Sequence, residues 1–251
     1  MAGRDRTLEA APDRGGPGRR RLARRPWRTM APARVQGARG VSDHSEAFAR
    51  NLGFPVSRET IARLETHLRL LRAWSERMNL VGPRELDAFW TRHALDSAQL
   101  AALAPAAKRW VDLGAGAGFP GLVIAALLAD APGASVHLVE STGKKAAFLR
   151  AVAEEAGLPV KVFNQRIEAF GAGEGPYDVV TARALAPLPR LIGYAKPILD
   201  RGAQGLFHKG ADLDAELAAA KDALEGGVFQ TDVLESLSDP RGRIVRITKA
   251  A

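Results

Sequence analysis

The sequence predicts an α/β fold, a seven-stranded, mainly parallel sheet behind an N-terminal helical extension. Three observations predict it. Trp110-Val111-Asp112-Leu113 is a short apolar strand that runs into a glycine-rich turn and then at once into an alanine- and leucine-rich helix. From Trp110 onward, short β-type runs alternate with helical segments, the signature of parallel strands joined by crossovers. The last two runs, 228–234 and 243–248, have no helix between them and read as an antiparallel finish.

Residues 1–40 form a first unit by composition. They hold eleven arginines, no lysine and three acidic residues, which is the whole of the chain's net charge of +8. The other residues net to zero, so overall charge is no sign of a basic body. Rich in Arg, Gly, Pro and Ala and without apolar periodicity, this arm is predicted to be disordered. An RNA tether or an Arg-rich transit peptide fits it, but an extension without a role, with Met30 as a later start, is the preferred reading.

A length of 251 residues leaves room for one α/β domain beyond that arm. No apolar run approaches the ~20 residues of a membrane helix. Without cysteine there is no disulfide and no thiolate metal site, and five scattered histidines lack ligand spacing, so no metal is expected.

Residues 41–107 read as a helical subdomain. Ser57 suits the N-cap of a helix reaching about Met78, in which Ile61, Leu64, Leu68, Leu71 and Trp74 form a core stripe. Arg58, Arg63, Arg69, Arg72 and Arg77 lie mostly off it, on a solvated face. After a turn at Asn79-Leu80-Val81-Gly82-Pro83, His93, Asp96 and Ser97 punctuate a second, otherwise apolar helical stretch. A packed or capped role is the plainer one for His93.

Residues 108–251 form the sheet domain. Glycines at 114, 116 and 118 allow a sharp turn and close approach of a ligand, Pro120 suits a first helical turn, and the unpaired N–H groups of the turn would face that ligand. Two patterns overlap here. Gly116, Gly118 and Gly121 satisfy the dinucleotide pattern G-x-G-x-x-G, while Gly114, Gly116 and Gly118 satisfy G-x-G-x-G. Asp112, two residues before the turn, would repel a pyrophosphate but suit a cationic or zwitterionic ligand, which favours S-adenosylmethionine over NAD.

The second strand, 136–139, ends in Glu140, where a carboxylate can accept from both ribose hydroxyls of an adenosine. A helix over 144–156 stops at Gly157 and Pro159. The third strand, 160–164, leads to Arg166-Ile167-Glu168 on the ligand edge of the sheet, where Ile167 could pack on an adenine and Glu168 read its amino edge. The fourth strand, 177–181, delivers Arg183 to the same edge. A helix over 188–199, interrupted by Pro197, a fifth strand over 205–208 ending at Lys209-Gly210, and a helix over 212–224 precede the paired final strands. That pair closing a seven-stranded sheet is a methyltransferase arrangement and not a dehydrogenase one.

With these residues assembled, the chain resembles the bacterial guanine-N7 methyltransferases of 16S ribosomal RNA, the glucose-inhibited division protein B family, from about residue 45 to 249. The resemblance is carried by Trp74-Ser75, Met78-Asn79-Leu80 and His93-Ala94-Leu95-Asp96-Ser97, then by the segment 112–121. It continues through Glu140-Ser141, Lys144-Lys145, Phe148-Leu149, Arg166-Ile167-Glu168, Thr181-Ala182-Arg183-Ala184 and Lys209-Gly210. It implies a class I, Rossmann-like methyltransferase fold that binds S-adenosylmethionine through Gly114, Phe119, Ile167, Glu168 and Arg183, to which the reading of the turn and the second strand adds Gly116 and Glu140. The family often carries Asp or another residue at the Glu140 position, and Glu keeps the carboxylate. It further implies a guanine of 16S ribosomal RNA as substrate, presented by the small subunit or an assembly intermediate to a monomeric, cytoplasmic enzyme.

Guanine N7 carries a lone pair and no proton, so a site that orients is expected, and no catalytic residue is assigned. Arg183 would bind the donor's carboxylate, a phosphate or guanine O6. His93, Lys144, Lys145 and Lys209 are the candidate phosphate contacts. A NAD(P)-dependent oxidoreductase and a non-enzymatic ribosome-assembly module are the alternatives.

Overall fold

A computed structural model describes residues 43–78, 80–224 and 228–250. The predicted disordered arm, 1–40, and Asn79 of the family motif lie outside the described residues.

Four helices precede the sheet: α1 (Asp43–Leu52), α2 (Arg58–Ser75), α3 (Pro83–Asp87) and α4 (Leu95–Leu103), with a π-helical stretch over Phe89–Ala94 leading into α4. Ser57 caps α2 as expected, its hydroxyl accepting from Thr60 N at 3.1 Å. Ile61, Leu64, Leu68 and Leu71 are buried. The helix ends at Ser75, a turn earlier than predicted.

The sheet domain runs β1 (Arg109–Leu113), α5 (Gly121–Leu128), β2 (Ser135–Val139), α6 (Gly143–Glu155), β3 (Val160–Phe163), α7 (Ile167–Phe170), β4 (Val179–Arg183), α8 (Leu188–Leu199), β5 (Gln204–Lys209), α9 (Leu213–Ala219), α10 (Lys221–Leu224), β6 (Phe229–Glu235) and β7 (Arg243–Lys249). Seven strands pair in the order β3-β2-β1-β4-β5-β7-β6. The first five are parallel, and β7 enters antiparallel between β5 and β6. Strand order reverses between β1 and β4, so the carboxyl ends of these strands open a crevice.

Two apolar layers cover the sheet. Leu122, Ile124, Phe148 and Leu149 of α5 and α6 join the helical extension on one face. Leu188, Leu191, Ile192 and Leu199 of α8 pack on the other. Two arginines of the supposedly solvated α2 face tie the extension to the sheet domain. Arg63 forms a two-pronged bond to Asp130 at 2.8 Å on each prong, and Arg69 pairs with Glu155.

Three further features differ from the prediction. β4 begins two residues late: the Asp178 carboxylate is tied to the backbone N–H groups of Lys108 and Arg109 at the start of β1, and the strand runs on to Arg183. Pro197 does not interrupt α8. It lies on the exposed side, where the unmatched carbonyl of Gly193 meets solvent. The helix over 212–224 is broken at Ala220 into α9 and α10.

Candidate functional site

A cleft of about 710 Å³ follows the carboxyl edge of β1, β2 and β4, within the size range of small-molecule sites. Its floor is the glycine turn. Gly114, Gly116 and Gly118 all have positive φ, 73°, 54° and 90°. Pro120 is the cap residue of α5 and not inside its first turn.

The turn's donors are not left open to a ligand as expected. Gly114 N and Ala115 N bond to the Val139 carbonyl at 2.9 and 3.0 Å, and Gly118 N bonds to Ala115 O at 2.7 Å. Gly116 N donates to Glu140 Oε2 at 3.0 Å, and Gly121 N to Asp112 Oδ2 at 2.9 Å. A pyrophosphate cradle needs several free N–H groups, and this turn has spent five of them internally.

Asp112 also departs from its predicted role. It is fully buried beneath the turn, is not among the residues lining the cleft, and is pushed up to about 7 by burial. Glu140, at the end of β2, lines the cleft instead. Its Oε1 accepts from Thr142 N at 2.7 Å while Oε2 accepts from Gly116, and its backbone carbonyl takes the Asn164 amide at 2.9 Å. Fixed by backbone on both oxygens, it stands at the end of β2 with little freedom to move.

Beside it, Ile167 and Glu168 line the cleft from α7. The Glu168 carboxylate accepts from Tyr194 Oη at 3.1 Å, and this bond, with that to its own backbone N–H, holds it below the usual carboxylate range. Ala184 follows β4 with φ 51°, a strained left-handed conformation for a residue with a Cβ, on the rim of the cleft.

Arg183 reaches the floor between these walls. Its Nε lies 3.6 Å from Asp96 Oδ2, its guanidinium is 6.0 Å from the centre of the Phe119 ring, and its Nη1 is buried without a partner. A buried donor on a charged group is costly to leave unpaired, and this one lies at the cleft that Arg183 lines. His93 stacks on the other part of this floor, its ring 4.8 Å from that of Phe119 at 24°.

The four predicted phosphate contacts separate. Lys145 lines the cleft and Lys144 is exposed outside it. Lys209 is spent elsewhere: its ammonium is 2.5 Å from Glu216 and 3.0 Å from the Ala186 carbonyl, with 9% of the side chain exposed. His93 lines the cleft but burial, with the neighbouring Arg183 charge second, drives its pKa down to about 4, so it is neutral at neutral pH and offers no ion pair to phosphate.

Several lining residues gave no sign in the sequence reading: Glu85 and Arg92 from the helical extension, and Arg190 and Tyr194 from α8. His67, behind the cleft, was missed as well. Fully buried and pushed to about 4 by that burial, it sits 2.9 Å by Nε2 from the Ala117 carbonyl and so supports the turn from α2. Its place in the Leu64-Leu68-Leu71 stripe was the available signal.

The family model of rRNA small subunit methyltransferase G (GidB) matches residues 60–244. The ribosomal RNA small subunit methyltransferase G of Caulobacter vibrioides is 50% identical over 191 residues, 76% of this chain and 84% of that protein. That of Parvibaculum lavamentivorans is 48% identical over 214 residues, 85% of this chain and 92% of that protein. Among solved structures, a mutant of MtNAS in complex with S-adenosylmethionine aligns with TM-score 0.52 and 22% identity, over 75% of this chain and 72% of the other. An O-methyltransferase from Thermotoga maritima, described as S-adenosylmethionine-dependent, aligns with TM-score 0.50 and 18% identity, over 62% and 65%. The sheet is thus that of the class I methyltransferases, and the chain belongs to the rRNA small subunit methyltransferase G family.

Proposed function

We propose that this chain transfers the methyl group of S-adenosylmethionine to N7 of one guanine in 16S ribosomal RNA. The substrate is the small ribosomal subunit or an assembly intermediate, and the enzyme acts as a cytoplasmic monomer. The observation that supports a nucleoside-type donor best is Glu140, a carboxylate immobilised by two backbone N–H groups at the end of β2 with lone pairs to spare for a ribose diol. The internally satisfied glycine turn argues against the NAD(P) alternative.

The residues present fit the donor. Glu140 would take the ribose hydroxyls, Ile167 would offer an apolar face to the adenine, and Glu168 would accept from its amino group. Gly114, Gly116 and Phe119 shape the methionine side, and the free Nη1 of Arg183 would take the donor's carboxylate, an RNA phosphate or guanine O6. Bound S-adenosylmethionine supplies an electrophilic methyl group on a sulfonium. Guanine N7 needs no base to attack it, so this chain's residues have to hold the base in line and exclude water; such alignment contributes on the order of 7–11 kcal/mol in favourable systems.

The arc of cations at the mouth, Arg92, Lys145, Arg166 and Arg190, supplies attraction for the RNA backbone. Among the described residues no group of side chains could hold a metal ion, and no helix is long and apolar enough to cross a membrane. Incubating labelled donor with small subunits that lack the modification, then mapping the labelled base, tests the reading. Label on one guanine N7 is expected; no transfer, or transfer to another atom, would refute it. Tighter binding of S-adenosylhomocysteine than of NAD is expected in parallel.

A further inference from the structure

Resting on that reading of the site, we infer that Glu85 selects guanine, its carboxylate accepting the N1–H and 2-amino donors of the base's Watson–Crick edge. Glu85 stands on the short helix α3, on the wall of the cleft that the helical extension supplies. The other two cleft carboxylates, Glu140 and Glu168, belong to the sheet-edge wall and to the donor.

The free capacity of Glu85 can be counted. Oε1 takes a hydrogen bond from Arg92 Nη1 at 3.3 Å, and Oε2 lies 2.7 Å from His93 Nε2. An ionised carboxylate offers about four lone-pair sites, two on each oxygen. At most one on each oxygen is engaged, and the side chain remains 39% exposed, so at least one on each stays open to an incoming base.

Two acceptors side by side call for two adjacent donors. Guanine is the RNA base that has them, N1–H beside the 2-amino group. Adenine and cytosine set one donor next to one acceptor on that edge, and uracil flanks its single N–H with two carbonyls, so each would turn a lone pair against the carboxylate. Watson–Crick-edge contacts are a usual means of reading an unpaired base, and the stacked Phe119 and His93 rings lie at the cleft that Glu85 lines. The geometry also serves the reaction. N7 lies on the purine edge opposite the one that Glu85 would hold, and is thereby turned from the helical wall toward the sheet edge.

Small subunits assembled with guanosine or inosine at the methylated position test this, because inosine lacks only the 2-amino group. The native chain is expected to lose roughly ten- to hundredfold in kcat/KM on inosine, the range for a hydrogen bond to an ionised group. Glu85→Gln should lose activity on guanosine and treat the two substrates nearly alike. If the native chain methylates both equally, or if a folded Glu85→Gln that binds S-adenosylhomocysteine as the native chain does keeps the native ratio, the inference is overturned while methyl transfer to guanine stands. Should Glu85→Gln not fold, Glu85→Asp, which withdraws the carboxylate by one methylene, is read the same way: a lowered ratio supports the inference and an unchanged one overturns it. A native chain inactive on the guanosine substrate would overturn the proposed function instead.

Discussion

Arg183 at the end of β4 and Asp96 on α4 face each other beneath the cleft, Nε 3.6 Å from Oδ2, with 15% and 11% of their side chains exposed. Asp96 Oδ1 also accepts from Gln99 at 2.7 Å and Ser236 at 2.8 Å, and its backbone carbonyl lies 2.8 Å from His208 Nε2. Burial alone would raise the Asp96 pKa, but His208, Arg183 and the serine hydroxyls together hold it below the usual range. One aspartate thus joins the helical extension, β4, β5 and the turn after β6 under the residue proposed to meet the ligand.

Asp96→Ala should therefore destabilise the fold by about 3–5 kcal/mol, because it leaves a buried guanidinium without its counter-charge. Ser236→Ala removes one hydrogen bond of the set and should cost about 1 kcal/mol. Urea unfolding measures both. A cost below about 1 kcal/mol for Asp96→Ala would mean that Arg183 finds solvent when the pair is broken.

The motif glycines should not be equivalent. A Cβ on Gly121 would come within 2.2 Å of Leu138 Cδ2 and 2.8 Å of Asp112 Oδ2, whereas one on Gly116 would meet nothing closer than 3.7 Å. Gly121→Ala is expected to cost about 1–3 kcal/mol through overpacking, and Gly116→Ala about 1 kcal/mol through its positive φ alone. Thermal or urea unfolding of the two variants gives the order, and a reversed order would contradict the packing account.

Replacing Glu140 by Ala should weaken S-adenosylhomocysteine binding by roughly ten- to hundredfold, the range for lost charge-assisted hydrogen bonds. Titration calorimetry reads it directly. Glu140→Ala also frees the N–H groups of Gly116 and Thr142, so any gain in affinity for an anionic dinucleotide would reveal the cradle that the carboxylate now occupies.

Two buried groups make stability depend on pH in opposite senses. Asp112, at about 7 when folded against an ordinary 3.8, binds a proton in the folded state that the unfolded chain has lost, so its contribution falls as pH rises from about 4 to about 7. His67, at about 4 against 6.5, is neutral when folded and charged when unfolded in its window, so its contribution is lost as pH falls from 6.5 toward 4. The Asp112→Asn variant should gain on the native protein as pH rises through the first window, measured as the difference in urea midpoints. A flat difference would show the carboxyl to be ionised throughout.

Salt dependence should separate the adjacent lysines. Lys145→Ala is expected to reduce the slope of log affinity for the small subunit against log salt by about 0.7–0.9, while Lys144→Ala, outside the cleft, should change it less. Equal effects would mean that the RNA footprint extends along the exposed face of α6.

Much of the architecture was legible in the chain itself, because burial leaves a local record. Short apolar β-type runs gave the strands to within one or two residues, the Ser57 cap and its stripe located α2, and Glu140 fell where a strand must end after the glycine turn. What the sequence determined is this alternation of elements, the absence of thiol chemistry and the motif set that marks the family. Only the tertiary structure decided which way side chains face and which charges meet. Asp112 turned under α5 instead of into the cleft, Lys209 was spent on Glu216, and helices that precede the sheet brought Glu85 to the cleft and His67 behind its glycine turn. The physical reason is the same in each case: periodicity reports how deeply a residue is buried against its own element, whereas the partner of a buried charge is set by elements that pack from far along the chain.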